Sequence, residues 1–216
     1  MKFKVLYEDH NFLAIDKPPR IFVHPGEKTK EKTIQDYFPG FQLSHRLDRE
    51  TSGVLVLSKN EKAYLFLKKQ FQSRTVEKTY VAIVNGSVKN DHGIINKPIG
   101  RSPKDFRRRL AGRGVKGKIR EAITEYKVLK RFEANGDKFS LLEVKPRTGR
   151  THQIRVHMKF ANHPVACDKL YNPSSACPEG LERLALHARS IEFKNLEGKI
   201  IKVESPLPKE FQKVVR

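Results

Sequence analysis

The chain has 216 residues, and its 44 Lys and Arg residues outnumber its 24 Asp and Glu residues, which gives a formal net charge of +20. This surplus predicts an anionic partner, with nucleic acid as the first candidate and an anionic membrane surface as the second. No apolar run reaches the roughly 18–20 residues of a membrane span, and no signal-peptide core follows Met1, so we expect neither an integral membrane protein nor a leader peptide.

Strands are the most frequent element that the sequence pattern predicts. They are expected over 3–7, 12–15, 54–57, 78–85, 122–130, 139–144, 184–188, 191–193 and 200–203, and around Val165. One helix is expected from a cap at Ser58 or Asn60 to about Gln72, and a second from about 152 to 162. Because regular βαβ alternation is missing, we predict a single α+β domain over residues 1–216.

Residues 101–120 contain nine cations and one acid, Asp105. The cations are Arg101, Lys104, Arg107, Arg108, Arg109, Arg113, Lys116, Lys118 and Arg120. Three glycines in the second half prevent a regular helix, so the segment is predicted to be a mobile basic loop. Because unpaired charge is too costly to bury, we expect the loop to contact phosphate, and a solvated loop without a partner is the alternative.

Sites for metals and nucleotide cofactors are not predicted. The spacings of Cys167 and Cys177, and of His152 and His157, do not match zinc-ligand pairs, so we interpret the cysteines as two free thiols in a reducing cytosol. The phosphate-binding P-loop and the Gly-rich dinucleotide fingerprint are missing as well.

The segment from His45 to Gly53 places one aspartate, Asp48, between Arg46 and Arg49, just before a strand. An opposite charge within about 4–6 Å lowers an aspartate pKa by about 1–3 units, which keeps such a carboxylate ionised. Nucleophilic or general-base catalysis uses an ionised carboxylate, so the segment is interpreted as a candidate catalytic site. The alternative interpretation is a loop whose charged side chains form surface salt bridges.

The segment 147–157 places three arginines and two histidines at the start of the second predicted helix. The dipole at a helix N-terminus disfavours cations, so their presence predicts an anion nearby. That anion is expected to be a nucleic-acid phosphate, an active-site carboxylate, or both.

Together these segments resemble the RluA-type pseudouridine synthases. Residues 17–25 are similar to the Lys-Pro…His-Pro segment of that family, 45–53 to the segment bearing its catalytic aspartate, 78–80 to the segment with its active-site tyrosine, and 148–157 to its late arginine motif. His163-Pro164, Asp168, Tyr171 and 186–188 also fit. Two departures are Cys167, where the family usually has Gly, and Pro19-Arg20-Ile21, where it often has a small residue and Gly.

The resemblance implies a mixed, largely antiparallel central sheet with flanking helices and loops, and an isomerase that converts uridine in RNA to pseudouridine without a cofactor or metal. It implies that Asp48 is the catalytic carboxylate, acting either as a nucleophile or as a base on a sugar proton. Tyr80 would stack on the target base and take part in proton transfer at C5. Arg150 is expected to pair with Asp48, with Arg155 as the alternative.

The resemblance also directs the expectations about partners. Ribosomal RNA, transfer RNA or both are expected substrates of a cytoplasmic monomer, and a noncatalytic RNA-binding protein on the same fold is the alternative. The chain begins at the segment that resembles the catalytic domain, without the S4-like module of many members, so RNA contacts are expected from the catalytic domain. The expected contacts are His45, Arg46, Arg49, Arg107, Arg108, Arg109, Arg113 and Arg155. Loop packing is the alternative for His45 and Arg46.

Overall fold

The computed structural model describes residues 2–26, 30–112, 114–174 and 176–215. These residues fall into two compact units, Met1–Lys78 with Ala188–Pro206 and Thr79–His187 with Leu207–Arg216. In chain order the elements are β1 Lys4–Glu8, β2 Phe12–Lys17, α1 Ile34–Tyr37, β3 Ser52–Ser58, α2 Glu61–Gln72, β4 Glu77–Asn85, β5 His92–Asn96, β6 Ile99–Arg101, β7 Arg109–Ala111, β8 Lys116–Arg120, β9 Ile123–Ala134, β10 Asp137–Pro146, α3 Gln153–Phe160, β11 Leu186–Lys194, β12 Ile200–Glu204 and α4 Lys209–Val214.

The first unit is a sheet that packs against α2, and the pairs β1–β2, β2–β3 and β11–β12 are antiparallel. β2 pairs with β1 on one side and with β3 on the other, and β12 pairs with β11. The predicted helix is confirmed: Asn60 caps α2, because its Oδ1 accepts a hydrogen bond from the Ala63 N–H at 2.9 Å. Leu67 on the inner face of α2 is fully buried and packs in a core with Phe12 and Phe193.

Gly53 lets β3 approach β11 closely in the first unit. Its φ is +111°, and a Cβ at this position would lie 2.1 Å from the carbonyl oxygen of Ala188. No other residue fits this conformation and this contact, so the glycine that ends the His45–Gly53 segment has a structural role.

The second unit is built on the antiparallel order β4-β10-β9-β5. Tyr80 of β4 lies opposite Val144 of β10, and His92 of β5 lies opposite Lys127 of β9. Ile83, Leu142 and Phe211 are among the buried residues of its core. The expected α+β class with largely antiparallel pairing is therefore confirmed, while the single domain over residues 1–216 stays a prediction.

The prediction of a basic loop over residues 101–120 is wrong. β6 pairs with β7 and with β8, and these strands form a small sheet of their own, which we call the small basic sheet. Gly112 and Gly117 adopt φ values of +78° and +73°. The strands have only three to five residues, too few to show an apolar period, and Gly117 lies inside β8, so the sequence pattern is typical of a loop.

Two further features differ from the expectations. Cys167 and Cys177 form a disulfide in the structure, so the prediction of two free thiols is wrong. Their Cα atoms are 5.2 Å apart, within the range that a disulfide spans, although ten positions separate them in the sequence. Every helix among the described residues is too short or too polar to cross a membrane.

Both departures from the family pattern fall at left-handed backbone positions. Arg20 has a φ of +66° and Cys167 has a φ of +58°. Glycine adopts this conformation without the cost of about 1–2 kcal/mol that a side chain adds, which explains why a glycine suits these two turns.

Candidate functional site

Asp48 lies at the start of a tight turn that leads into β3. The Thr51 N–H donates a hydrogen bond of 3.1 Å to the Asp48 carbonyl, and Leu47 and Thr51 on either side are buried. The Asp48 side chain is half-buried. Because the turn is anchored at both ends in the first unit, the position of the carboxylate is set by backbone structure rather than by a free loop.

Lys17 ties this turn to the end of β2. Its ammonium is fully buried and donates to the carbonyl oxygens of Pro18, Ile21 and Arg49 at 2.8, 3.2 and 3.2 Å. A buried ammonium requires such partners, and three carbonyl oxygens match its three N–H groups. The resemblance includes Lys17 only as part of a motif. The sequence signal for its anchoring role is a lysine at the end of a strand whose first four residues are apolar.

His45 braces the same loop. Its Nε2 accepts a hydrogen bond of 2.9 Å from the Val56 N–H, and its ring stacks on Phe71 at 4.8 Å. Burial, with a smaller effect from Lys78, lowers the pKa of His45 to about 3, so the ring is neutral. A neutral ring held in this way supplies no cation to a phosphate, which favours loop packing over RNA contact for His45.

The two arginines beside Asp48 have different surroundings. Arg46 is exposed, whereas Arg49 donates to both carboxylate oxygens of Glu31 at 3.1 and 3.0 Å and to Glu50 at 3.2 Å. The Arg49 guanidinium also lies 5.2 Å above the Phe22 ring. Arg49 is therefore partly neutralised within the unit, and Arg46 is the better placed of the two for an external anion.

Several cations create a positive potential around this loop. Burial and, to a smaller extent, Arg46 lower the pKa of His24. Burial and, to a smaller extent, Arg74 lower the pKa of Lys78 to about 8. Burial is the larger cause for both groups, and the smaller contributions from Arg46 and Arg74 show that positive charges lie close together here, where they attract an anion such as phosphate.

Arg150, Tyr80 and Arg155 belong to the second unit, where the segment 148–157 is held by a buried network. Thr148 Oγ1 donates to Gln153 Oε1 at 2.6 Å and accepts from the Ile123 N–H at 3.1 Å. Gln153 Nε2 donates to the Ile123 carbonyl and to Thr124 Oγ1, both at 2.9 Å. Gln153 Oε1 also accepts from the Arg150 N–H at 3.0 Å. The network fixes the backbone that presents Arg150.

His157 extends this network on the inner face of α3. Its Nε2 donates to the Lys97 carbonyl at 2.9 Å, so Nδ1 accepts from Thr124 Oγ1 at 2.8 Å. Burial lowers the pKa of His157, partly offset by the Lys97 contact. The ring is therefore a neutral, buried part of the core.

The anion predicted near the arginines of this segment includes Asp168. Arg155 Nε and Nη2 donate to the two carboxylate oxygens of Asp168 at 2.7 and 2.8 Å, and both side chains are buried. Asp168 Oδ1 also accepts from the Leu170 and Tyr171 N–H groups at 3.0 Å. Arg155 thus has a structural partner, which sequence reasoning missed although it aligned Asp168 with the family. Contact of Arg155 with RNA stays a prediction.

Tyr80 lies on β4 and is half-buried against the core of the second unit. Arg150 lines a basic pocket of about 430 Å³ in the same unit. Glycines border this pocket at positions 100, 117 and 149, which leaves room for a ligand next to the cations. Its charged lining residues are Arg101, Arg109, Lys118, Arg120 and Arg150. The pocket joins the small basic sheet to the 148–157 segment.

Arg107 and Arg108 lie beside this pocket's sheet, in the connection from β6 to β7. Asp105 accepts from Arg107 Nε and Nη2 at 3.1 and 2.9 Å, and Arg108 Nε lies 3.4 Å from the same carboxylate. The hydrogen bond from Arg107 is the main cause that lowers the pKa of Asp105 to about 2. Arg113, also predicted to contact RNA, lies outside the described residues.

Comparisons with known proteins agree on one family. A family model described as RNA pseudouridylate synthase matches residues 11–160. "Ribosomal large subunit pseudouridine synthase D" of Nitrosomonas europaea is 38% identical over 95% of this chain and 62% of its own length. "Uncharacterized RNA pseudouridine synthase YlyB" of Bacillus subtilis is 34% identical over 100% of this chain and 72% of its own length.

A solved structure has the same fold. "Human RNA Pseudouridylate Synthase Domain Containing 1" superimposes with a TM-score of 0.83 at 29% identity, covering 96% of this chain and 84% of its own. The chain spans less than two thirds of the length of the Nitrosomonas relative.

Proposed function

We propose, since the chain belongs to the RNA pseudouridylate synthase family, that it isomerises specific uridines in RNA to pseudouridine. The observation that carries this proposal is the family match over residues 11–160, which includes the intact turn that presents Asp48. Ribosomal RNA of the large subunit is the first substrate to test, because the Nitrosomonas relative is named for it. Transfer RNA is the second, and the proposed location is the cytoplasm.

The proposed reaction breaks the C1′–N1 bond of the uridine and forms a C1′–C5 bond, while a proton leaves C5 and a proton is gained at N1. Asp48 supplies the carboxylate, as a nucleophile or as a base toward a sugar proton. Tyr80 stacks on the base and assists the proton transfer at C5. Arg150 is proposed to stabilise the Asp48 carboxylate, with Arg155, which Asp168 positions, as the alternative.

The basic pocket and the small basic sheet are proposed to bind the RNA backbone. The cations of the pocket come from different strands and from the 148–157 segment, so they can contact successive phosphates of a bound strand. A target uridine within folded RNA must be flipped out at a cost of a few kcal/mol, and such phosphate contacts offset that cost.

The decisive test is the substitution Asp48→Asn, which keeps size and polarity but removes the anionic group. We expect pseudouridine formation on large-subunit ribosomal RNA or bulk tRNA to fall by at least about 100-fold, while thermal stability stays unchanged. Asp137→Asn, at the turn between β9 and β10, is the matched control and should retain full activity. Retention of more than about 1% of the activity by Asp48→Asn would remove Asp48 from the catalytic role.

The same assay separates the alternative function. If the parent protein binds RNA with salt-dependent affinity but forms no pseudouridine on either RNA class, it is a noncatalytic RNA-binding protein on this fold. If it forms pseudouridine, mapping the modified position in both RNA classes identifies the target.

The role of Tyr80 is tested by comparing Tyr80→Phe with Tyr80→Ala. Phe keeps the stacking surface, so a parent-like rate for Tyr80→Phe means stacking alone, and a slow rate with normal RNA binding means that the hydroxyl handles a proton. Normal turnover by Tyr80→Ala would exclude Tyr80 from the site. Equal loss of thermal stability in both variants, without a specific loss of rate, would indicate a core tyrosine.

A further inference from the structure

Phe106 is the most exposed large apolar side chain among the described residues, with 84% of its surface accessible. It lies in the connection from β6 to β7, at the tip of the small basic sheet. An exposed phenylalanine of this degree gains nothing from the core of the protein, and single aromatic side chains on a basic surface suit nucleobase stacking.

The backbone around Phe106 is well ordered by hydrogen bonds. The Arg108 N–H donates to the Asp105 carbonyl at 3.0 Å, and the Ser102 N–H donates to the Arg108 carbonyl at 3.1 Å. Arg109 Nη1 donates to the Phe106 carbonyl at 3.1 Å. The turn is therefore a defined structure that points one aromatic ring away from the sheet, rather than an irregular segment in which the ring happens to be exposed.

The charges next to Phe106 fit a nucleic acid rather than an apolar partner. The sequence neighbours of Phe106 are mostly cations: Lys104 precedes it, and Arg107, Arg108 and Arg109 follow it. Asp105 is the acid in this stretch. Arg107 is largely exposed beside Asp105, with 65% of its side chain accessible. A protein partner would need an acidic and an apolar surface together, whereas every nucleotide of RNA offers a phosphate and a flat base within one repeat.

We propose that Phe106 stacks on an unpaired base of the RNA substrate while the cations beside it contact the adjacent phosphates. The inference rests on the proposed RNA function and adds a base-contacting residue at a position remote in sequence from Asp48 and Tyr80. Stacking is insensitive to base identity, so the contact holds a single-stranded segment without selecting its sequence.

The chain contains no tryptophan, so Phe106→Trp introduces a single indole whose emission reports directly on this site. The probes are a 12-nucleotide single-stranded oligouridylate and an abasic oligomer with the same phosphate number, each labelled so that binding is followed independently by anisotropy. Ile94→Trp is the matched control, because Ile94 is 67% exposed on β5 of the same unit. Binding of Phe106→Ala, Phe106→Leu and Phe106→Tyr is compared with that of the parent.

We expect oligouridylate to quench the indole emission of Phe106→Trp by at least half at saturation, and the abasic oligomer to bind without quenching. The emission of Ile94→Trp should not change. Phe106→Ala and Phe106→Leu should bind oligouridylate at least about 5-fold more weakly, and Phe106→Tyr like the parent.

Three outcomes would overturn the inference. In the first, oligouridylate binds without changing the emission of Phe106→Trp, and Phe106→Ala binds it like the parent. This result shows that the ring does not contact a base, and it leaves the proposed function intact. In the second, the emission of Phe106→Trp changes with protein concentration in the absence of RNA, which shows that the side chain at this position contacts a second copy of the protein. Absence of oligouridylate binding by the parent overturns this inference, whereas the proposed function is overturned only if the parent also forms no pseudouridine on ribosomal or transfer RNA.

Discussion

The 147–157 segment and the small basic sheet are both rich in cations in the sequence, yet the structure uses their charges in opposite ways. In the first segment Arg155 is buried against Asp168, and Arg147 pairs with Glu125 at 2.9 and 2.8 Å. In the sheet, Lys118 and Arg120 are exposed and line a pocket. Arg155 and Arg147 of the first segment are therefore paired with acids within the protein, whereas the cations of the sheet line the pocket together with Arg150.

The difference shows why counting cations in a sequence is a weak guide to where RNA binds. Acids that neutralise the arginines of the first segment come from distant positions, so no local pattern shows them. The sheet has one acid for nine cations within 101–120, and this local imbalance survives folding. A local excess of one sign without nearby acids is therefore the better predictor of charge that stays exposed after folding.

The largest expected effect is that of Asp168→Asn. Removing one partner of a buried ion pair leaves the Arg155 charge uncompensated, so we expect a loss of about 3–5 kcal/mol in the free energy of unfolding. Urea denaturation followed by circular dichroism measures it. Asp105→Asn makes the same chemical change in a pair whose arginine, Arg107, is 65% exposed to water, and should cost much less unfolding free energy. Equal effects at both positions would contradict the distinction between the two regions.

The next effect concerns RNA binding by the small basic sheet. Replacing Arg101, Lys118 and Arg120 with Gln should weaken binding of many RNAs about equally and reduce the slope of log affinity against log salt by up to about 2, at about 0.7 for each lost contact. Replacing Lys62, Lys68 and Lys69 of α2 with Gln removes the same charge elsewhere and serves as the control. A salt slope that both triple variants change equally would mean that only net charge matters.

The free energy of unfolding should depend on pH through His157, the buried histidine of the 147–157 segment. The pKa of His157 is lowered in the folded protein, so the unfolded state binds the proton more readily. The resulting stability is present above the unfolded pKa near 6.5 and is lost as pH falls below it, by at most about 1.4 kcal/mol per pH unit. His45 contributes in the same direction. Denaturation of His157→Gln between pH 7 and 5 should show a smaller pH dependence than that of the parent and of the exposed control His92→Gln.

The smallest effect should come from Arg147→Gln. Its pair with Glu125 has good geometry, but the Arg147 side chain is half exposed, so the expected loss is only about 0.2–1 kcal/mol of unfolding free energy. RNA affinity should not change if this arginine serves the framework. A clear loss of salt-dependent RNA binding would instead assign Arg147 to the binding surface.

Elements with a strong local signal were predictable from the sequence. Asn60 and the apolar face with Ala63 and Leu67 predicted α2, and Gly86 marked the end of β4. Elements without such a signal were not predicted: α1, α4 and the strands of the small basic sheet are short, and their residues are mostly polar or exposed. Such elements are stabilised by contacts with distant residues, which no local period records.

The candidate site divides in the same way. The family, the fold class and the identity of the motif residues followed from the sequence, because ordered residue types in register are specific without any structure. Contacts among distant residues required the structure. Lys17 anchors the Asp48 turn through the carbonyl of Arg49, which is 32 positions away. Asp168 pairs with Arg155, which is 13 positions away.

What the sequence by itself determined is therefore the chemistry available: a carboxylate at Asp48, an aromatic ring at Tyr80, and a large excess of positive charge. Only the tertiary structure decided which charges are internal and which are presented, since burial and pairing depend on residues brought together by the fold. It neutralised His45 by burial, enclosed Arg155 with Asp168, and placed Phe106 at an exposed tip among cations. The physical reason is that the cost of burying a charge depends on its neighbours in space, and the order of residues along the chain does not record them.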